Sequence, residues 1–216
     1  MGPVATLEFY ARLIAYSQVR YGAVQDSDYP PIVIHSLSLH GTDETGIVDS
    51  DLVYEELASG VAMLGASEVD FIVIPCNTIH TLLAKLRSIS TVPILSMVEE
   101  TTDLVKRSCL ESVGLLASKT TCDDKVYLLN KLKVPTGYEQ SSVSKVILHV
   151  MGGNNSSSDK QVLLDIIERM KVDGVVLGCT ELSVVLRQQD IGVKVFDALE
   201  VLARRAIDLA YSTDVV

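Results

Sequence analysis

Residues 70–80 read DFIVIPCNTIH and residues 173–183 read DGVVLGCTELS. In each stretch an Asp is followed by an apolar run and then by a cysteine that opens a helix-like segment. Cys76 and Cys179 therefore hold equivalent places in two segments nearly half a chain apart. A free cysteine is most often a packing residue. A thiol at the start of a helix, however, faces unpaired backbone N–H groups and the positive end of the dipole, which favour the thiolate. Two such thiols facing each other across a cleft supply a base on one face of a carbon and an acid on the other, as inversion of a stereocentre by proton transfer requires. Asn77 and Thr78 follow the first cysteine and Thr180 the second; with free N–H groups these short donors suit a carboxylate. Charge grows on that carboxylate as an α-proton leaves, so donors there lower the barrier.

Other residues near the two cysteines are read as supports behind the site. His80, one helical turn past Cys76, is first a capping or packing residue and second a group that orients the site or carries a proton. Glu181 in the turn after Cys179 is first a partner for the helix dipole and second a modulator of the thiol. Cys109 and Cys122 lack the strand-to-helix placement and read as packing residues. No C-x-x-C spacing occurs, so neither a zinc site nor a disulfide framework is suggested.

The elements that must position these residues alternate. Helical spacing covers residues 4–21, a strand is expected over residues 32–39, a helix over 50–66, a strand over 69–75, and a helix directly after Cys76. A short strand VPIL and a helix from Met97 lead into the second half. There the order is strand SVGLLAS, a helix over residues 123–132, helices over 142–151 and 159–171, strand DGVVLG, a helix after Cys179, strand VKVFD and a final helix. The loop GGNNSSS is read as exposed, with a lid over a ligand as the alternative. Strands alternating with helices, several of them continuous apolar runs, give an α/β class with parallel sheets covered on both faces. The expected architecture is two similar doubly wound lobes with parallel four-stranded sheets, related by a pseudo-twofold axis, with the active site in the cleft between them. The first lobe takes residues 1–100 plus 197–216 and the second residues 101–196. The second half opens with a strand before its first helix whereas the first half starts at MGPVAT, so the first lobe lacks its first strand.

Composition bounds the class of partner. The 216 residues carry 48% hydrophobic and 21% charged side chains, which is a globular balance. A net charge of −10 and the lack of a basic run interleaved with aromatics argue against nucleic acid. The apolar runs are far too short to span a bilayer and no secretory signal opens the chain, so no membrane role is expected and the cytoplasm is the default.

Four motifs, GPVAT at residues 2–6, PCNTIH at 75–80, VGLLASKTT at 113–121 and LGCTEL at 177–182, resemble those of the aspartate/glutamate racemase family, the cofactor-independent two-cysteine racemases. The resemblance spans nearly the whole chain in the family's order. It implies PLP-independent racemisation of an amino acid, with Cys76 and Cys179 as paired acid and base. Asn77, Thr78, Thr121 and Thr180 would hold the α-carboxylate, Ser118 standing with them. It implies no cofactor, no metal and a homodimer. Two departures bear on substrate choice: ASKTT stands where the family usually has Ala-Thr-x-Gly-Thr, and HSLSLHGTDETG lacks the Arg expected of members that racemise aspartate. The lysine nearest the Ser-rich loop is Lys160. A non-catalytic binding protein on the same scaffold, or a related cysteine-dependent decarboxylase or isomerase, is the alternative.

Overall fold

In a computed structural model, which describes residues 2–213, the chain alternates helices and strands throughout. The order is α1 (Pro3–Tyr21), β1 (Thr42–Asp43), β2 (Gly46–Ile47), α2 (Ser50–Gly65), β3 (Ile72–Val73), α3 (Leu83–Ile89), β4 (Ile94–Leu95) and α4 (Met97–Arg107). The second half continues with β5 (Val113–Ala117), α5 (Lys119–Asp123), β6 (Leu132–Lys133), α6 (Tyr138–Met151), α7 (Ser157–Met170), β7 (Gly174–Gly178), α8 (Leu182–Val185), β8 (Lys194–Asp197) and α9 (Ala198–Thr213). Local chemistry fixes the helix ends. Pro3 sits at the first turn of α1, where its missing N–H costs nothing. Gly22 closes that helix at φ +71°, its N–H and that of Ala23 returning to the carbonyls of Gln18 and Ser17. Ser96 caps α4 by accepting from the Glu99 N–H, with Glu99 and Glu100 in the first turn and Lys106 and Arg107 in the last, in line with the dipole.

The second lobe holds a parallel sheet in the order β6-β5-β7-β8. Every residue of β5 and β7 is buried, because each face is covered. Leu116, Val175 and Leu177 pack with Val143, Ile147, Leu163 and Ile166 of α6 and α7. Val113, Leu115 and Val176 pack with Phe9 and Leu13 of α1, Met97 of α4 and Leu199 and Leu202 of α9. Each such side chain contributes about 1.5–3 kcal/mol of apolar transfer. The helix that opens the chain thus sits on the second lobe's sheet. Among the described residues no helix is long and apolar enough to cross a membrane.

The first lobe departs from expectation. Its parallel sheet has two strands, β3 and β4, with Ile72 opposite Ile94 and Val73 opposite Leu95. The strand expected over residues 32–39 is not formed. His35, Leu37 and Leu39 alternate in burial with exposed neighbours, as in a strand, yet the segment enters no ladder. The pattern of the side chains alone does not make a strand without a neighbour to receive it. The helix expected over residues 123–132 is also absent. Ser118 starts a helix earlier, over Lys119–Asp123, and Leu132–Lys133 is drawn into the sheet beside β5. The turn after Cys76 is a 3₁₀ helix, Thr78–Leu82, before α3 begins. Cys109 is exposed at φ +54° beyond the end of α4, so it does not pack.

A buried charge cluster ties α1 to the second lobe. Arg12 donates to Asp197 at 2.5 Å, to Glu8 at 2.9 Å and to the Ser183 carbonyl at 3.1 Å, while Ser183 Oγ donates to the other oxygen of Asp197 at 2.7 Å. Burial pulls the guanidinium's pKa down, but Asp197 and Glu8 outweigh it and raise it overall. Removing the cation leaves two half-buried carboxylates without it. Arg12→Met is expected to lower unfolding free energy by about 3 kcal/mol in urea denaturation; a loss below about 0.5 kcal/mol would mean that α1 is held by its apolar face alone.

Candidate active site

Cys76 lies just past β3 and Cys179 just past β7, each at the carboxyl end of a parallel strand where the chain turns into a helix. The Cys76 N–H returns to the Ile74 carbonyl and the Cys179 carbonyl accepts from the Leu182 N–H, which bends the chain at each thiol. Both thiols are half-buried and line one cleft of about 1370 Å³ including its mouth. Its other walls are Gly2 and Pro3, residues 36–39, the β1–β2 hairpin, and Ile147 and Met151 of α6. The hairpin is held by Asp43, whose carboxylate accepts from the Thr45 N–H and hydroxyl and the Gly46 N–H. Gly46 adopts φ +130°, and a Cβ there would collide with the Thr120 side chain, which accepts from the Ile47 N–H.

Burial keeps both thiols protonated at neutral pH. It is the main cause that pushes Cys76 up to about 11, with the Glu181 carboxylate adding to it, while the N–H groups of Ile79 and Thr78 pull the other way. Cys179 is raised well above the ordinary thiol range, first by burial, then by the charge of Glu181 and the hydrogen bond to it, then by Cys76. Its Sγ–H donates to Glu181 Oε2 at 3.0 Å, and Thr180 Oγ1 donates to the same oxygen at 2.9 Å. A proton acceptor therefore already touches the Cys179 thiol.

The donors form two sets. Asn77 is 2% exposed; its Oδ1 accepts from the Tyr127 hydroxyl at 2.5 Å, while its Nδ2 has no partner. Burial raises the Tyr127 phenol far above its usual range, so it remains a donor and fixes which way the amide faces. A buried amide N–H₂ with no partner on the cleft wall is a place for an acceptor from outside. The second set is a closed triangle of hydroxyls joining the lobes: Thr78 to Ser118 at 2.8 Å, Thr78 to Thr121 at 3.0 Å and Ser118 to Thr121 at 2.9 Å. Thr78 and Ser118 reach the cleft, whereas Thr121 is enclosed behind them.

His80 faces away from the cleft. Its Nε2 accepts from the Met97 N–H at 3.2 Å, so Nδ1–H donates to the Cys76 carbonyl at 2.8 Å and the ring is neutral. It clamps the backbone of Cys76 to the start of α4 and carries no proton to the thiol. The residues read from sequence thus fall into three groups. Cys76, Asn77, Thr78, Ser118, Cys179, Thr180 and Glu181 line one cleft, Thr121 backs it, and His80 stands behind it. Tyr127, the hairpin and Met151 were not foreseen. The GGNNSSS loop does not line the cleft; Ser156 caps α7 through Asp159, and Lys160 is held by Asp190 at 2.5 Å.

Burial is also the main cause that lowers His80 to about 4 from an ordinary 6.5, with Arg87 adding to it and Glu99 opposing. With the folded value below the unfolded one, the unfolded chain binds the proton first. Stability is therefore lost as pH falls from about 6.5 toward 4, by up to about 3 kcal/mol. The neighbouring carboxylates with lowered pKa, such as Glu99, lose their contribution only below their own ordinary values. Urea titrations at pH 7 and pH 4.5 should show this loss in the wild type and a much flatter response in His80→Asn; equal slopes would remove His80 as its source.

Comparison with known proteins gives the family. Residues 1–206 match the model of the Asp/Glu/hydantoin racemase family. The broad specificity amino-acid racemase RacX of Bacillus subtilis (strain 168) is 28% identical, over 99% of this chain and 97% of that protein. The aspartate racemase of Picrophilus torridus superposes with a TM-score of 0.81 at 25% identity, covering 98% of this chain and 91% of that one. PH1733, an aspartate racemase homologue from Pyrococcus horikoshii OT3, shares the fold with a TM-score of 0.75 at 23% identity, over 97% and 95% of the two chains. With a match over almost its entire length, and with its two cysteines at the matching strand ends of a two-lobed α/β fold, the chain belongs to the Asp/Glu/hydantoin racemase family.

Proposed function

We propose that this chain interconverts the enantiomers of amino acids by proton transfer between Cys76 and Cys179, without pyridoxal phosphate. The observation that carries the reading is the pair of thiols at matching strand ends opening on one cleft, beside a buried amide donor with no partner. From the resting pair of thiols, the Cys179 proton passes to Glu181 Oε2. Once protonated, Glu181 no longer opposes the thiolate by its charge. The thiolate takes the α-proton from one face of the substrate, and the Cys76 thiol returns a proton to the other face. The reverse reaction exchanges their roles, with the Thr78 and Ile79 N–H groups stabilising the Cys76 thiolate. Asn77 Nδ2 holds the α-carboxylate, where charge grows as the proton leaves, and a hydroxyl of Thr78, Ser118 or Thr180 joins it by turning its single O–H away from its present partner.

The lining also bears on substrate choice. It contains Leu37, Leu39, Ile147 and Met151, the carboxylates Asp43 and Glu44 and, among the described residues, no Lys, Arg or His. A substrate carboxylate at the end of a side chain would lie without a cationic partner, at a cost of several kcal/mol. Neutral and basic amino acids are therefore the preferred substrates, in keeping with the broad specificity stated for the Bacillus subtilis relative.

A chiral assay over a panel of amino acids tests both points. The wild type should interconvert enantiomers, with kcat/KM for aspartate and glutamate about 100-fold below that of the best neutral or basic substrate. Cys76→Ala and Cys179→Ala should each lose at least about 10³-fold in kcat. Binding without conversion, or full turnover by either variant, would overturn the mechanism, and turnover of aspartate alone would overturn the specificity.

A further inference from the structure

We infer that Glu44 is a specificity-determining residue, its carboxylate taking the positive charge at the end of a basic amino acid's side chain. This selection rests on the proposed racemisation, whose substrate occupies the same cleft. Glu44 lines the cleft at the tip of the β1–β2 hairpin, half-buried, and among the described residues its carboxylate meets no hydrogen-bond or ion-pair partner. The other two acids of the lining are engaged. One oxygen of Asp43 accepts from the Thr45 N–H, the Thr45 hydroxyl and the Gly46 N–H. Glu181 Oε2 accepts from the Cys179 thiol and the Thr180 hydroxyl, beside the reacting carbon. Glu44 alone of the three offers both of its oxygens to a substrate.

The loop that presents Glu44 is fixed from both sides. Asp43 closes the turn from within, and from the second lobe the Thr120 N–H donates to the Thr45 carbonyl at 2.9 Å while Thr120 Oγ1 accepts from the Ile47 N–H at 3.2 Å. A charge held this way discriminates better than one on a free loop. The rest of the cleft complements the rest of such a substrate. Asn77 is 2% exposed and its Nδ2 has no partner, which provides for the α-carboxylate. Leu37, Leu39 and Met151 provide apolar wall for the methylenes of an unbranched chain. A side chain ending in a carboxylate would set like charge against Glu44, and one ending in a methyl group would leave the carboxylate unpaired. The net charge of −10 also draws cationic substrates toward the protein.

The test compares lysine with norleucine, whose side chain ends in a methyl group, by kcat/KM in a chiral assay and by binding constant in calorimetry. The wild type should favour lysine by at least about tenfold in both, the worth of a charge-assisted hydrogen bond. Glu44→Gln, which keeps the size and removes the charge, should bring the ratio near one, and Glu44→Lys should turn it below one. A variant that is only damaged loses on both substrates and leaves the ratio where it was. A wild-type ratio near one would overturn the inference. So would a ratio that Glu44→Gln leaves unchanged, since the carboxylate would then hold the α-ammonium that both amino acids share, or nothing. If neither amino acid nor any other is converted, the racemase reading falls by itself, and the ratio of binding constants still decides the part played by Glu44.

Discussion

Two thiols can serve one carbon only if the lobes that carry them keep a fixed separation, and the contact that sets it is a ring of three hydroxyls. Thr78 comes from the turn after Cys76, and Ser118 and Thr121 come from the strand-to-helix turn of the other lobe. Each hydroxyl both gives and takes, so the ring closes without help from water. Around it, the Thr120 N–H donates to the Thr45 carbonyl and the Ile47 N–H to Thr120 Oγ1, so the hairpin over the cleft hangs from the same turn. The seam between the lobes and the wall of the site are one set of bonds.

That seam also draws the thiols away from solvent, and the burial has a cost. Burial holds both thiols in the protonated form, and Glu181 strengthens the effect at Cys179. A thiolate that has lost part of its hydration to burial is a stronger base toward carbon than one in water. The reactive form must therefore be made inside the cleft. The Sγ–H to Oε2 bond between Cys179 and Glu181 offers a route that does not need bulk water. Asn77 shows the same economy of donors: its carbonyl is satisfied by Tyr127 from behind, which leaves the amide N–H₂ with no partner inside the protein.

The parts of the site that could be read from the sequence are local ones. Cys76, Asn77, Thr78, Cys179, Thr180 and Glu181 follow directly from strand ends, because a parallel strand and the turn after it determine where those side chains face. Tyr127 could not be read that way. It lies fifty positions from Asn77 in a stretch expected to be helical, and only the folding of that stretch beside β5 brings the two together. His80 was legible as a residue near the thiol but not in its direction, which the Met97 N–H decides from across the lobe. That residues 32–39 enter no ladder was not legible in the sequence. Their alternation is that of a strand, and a strand forms only when an edge receives it.

The claim most exposed to test is that the α-proton leaves toward one thiol and returns from the other. Conversion of a single enantiomer in deuterated water, stopped early, and mass analysis of the two separated enantiomers decides it. Two bases on opposite faces predict product that carries solvent deuterium while the recovered substrate keeps its hydrogen. Deuterium appearing equally fast in substrate and product would mean one base serving both faces, and would contradict the account.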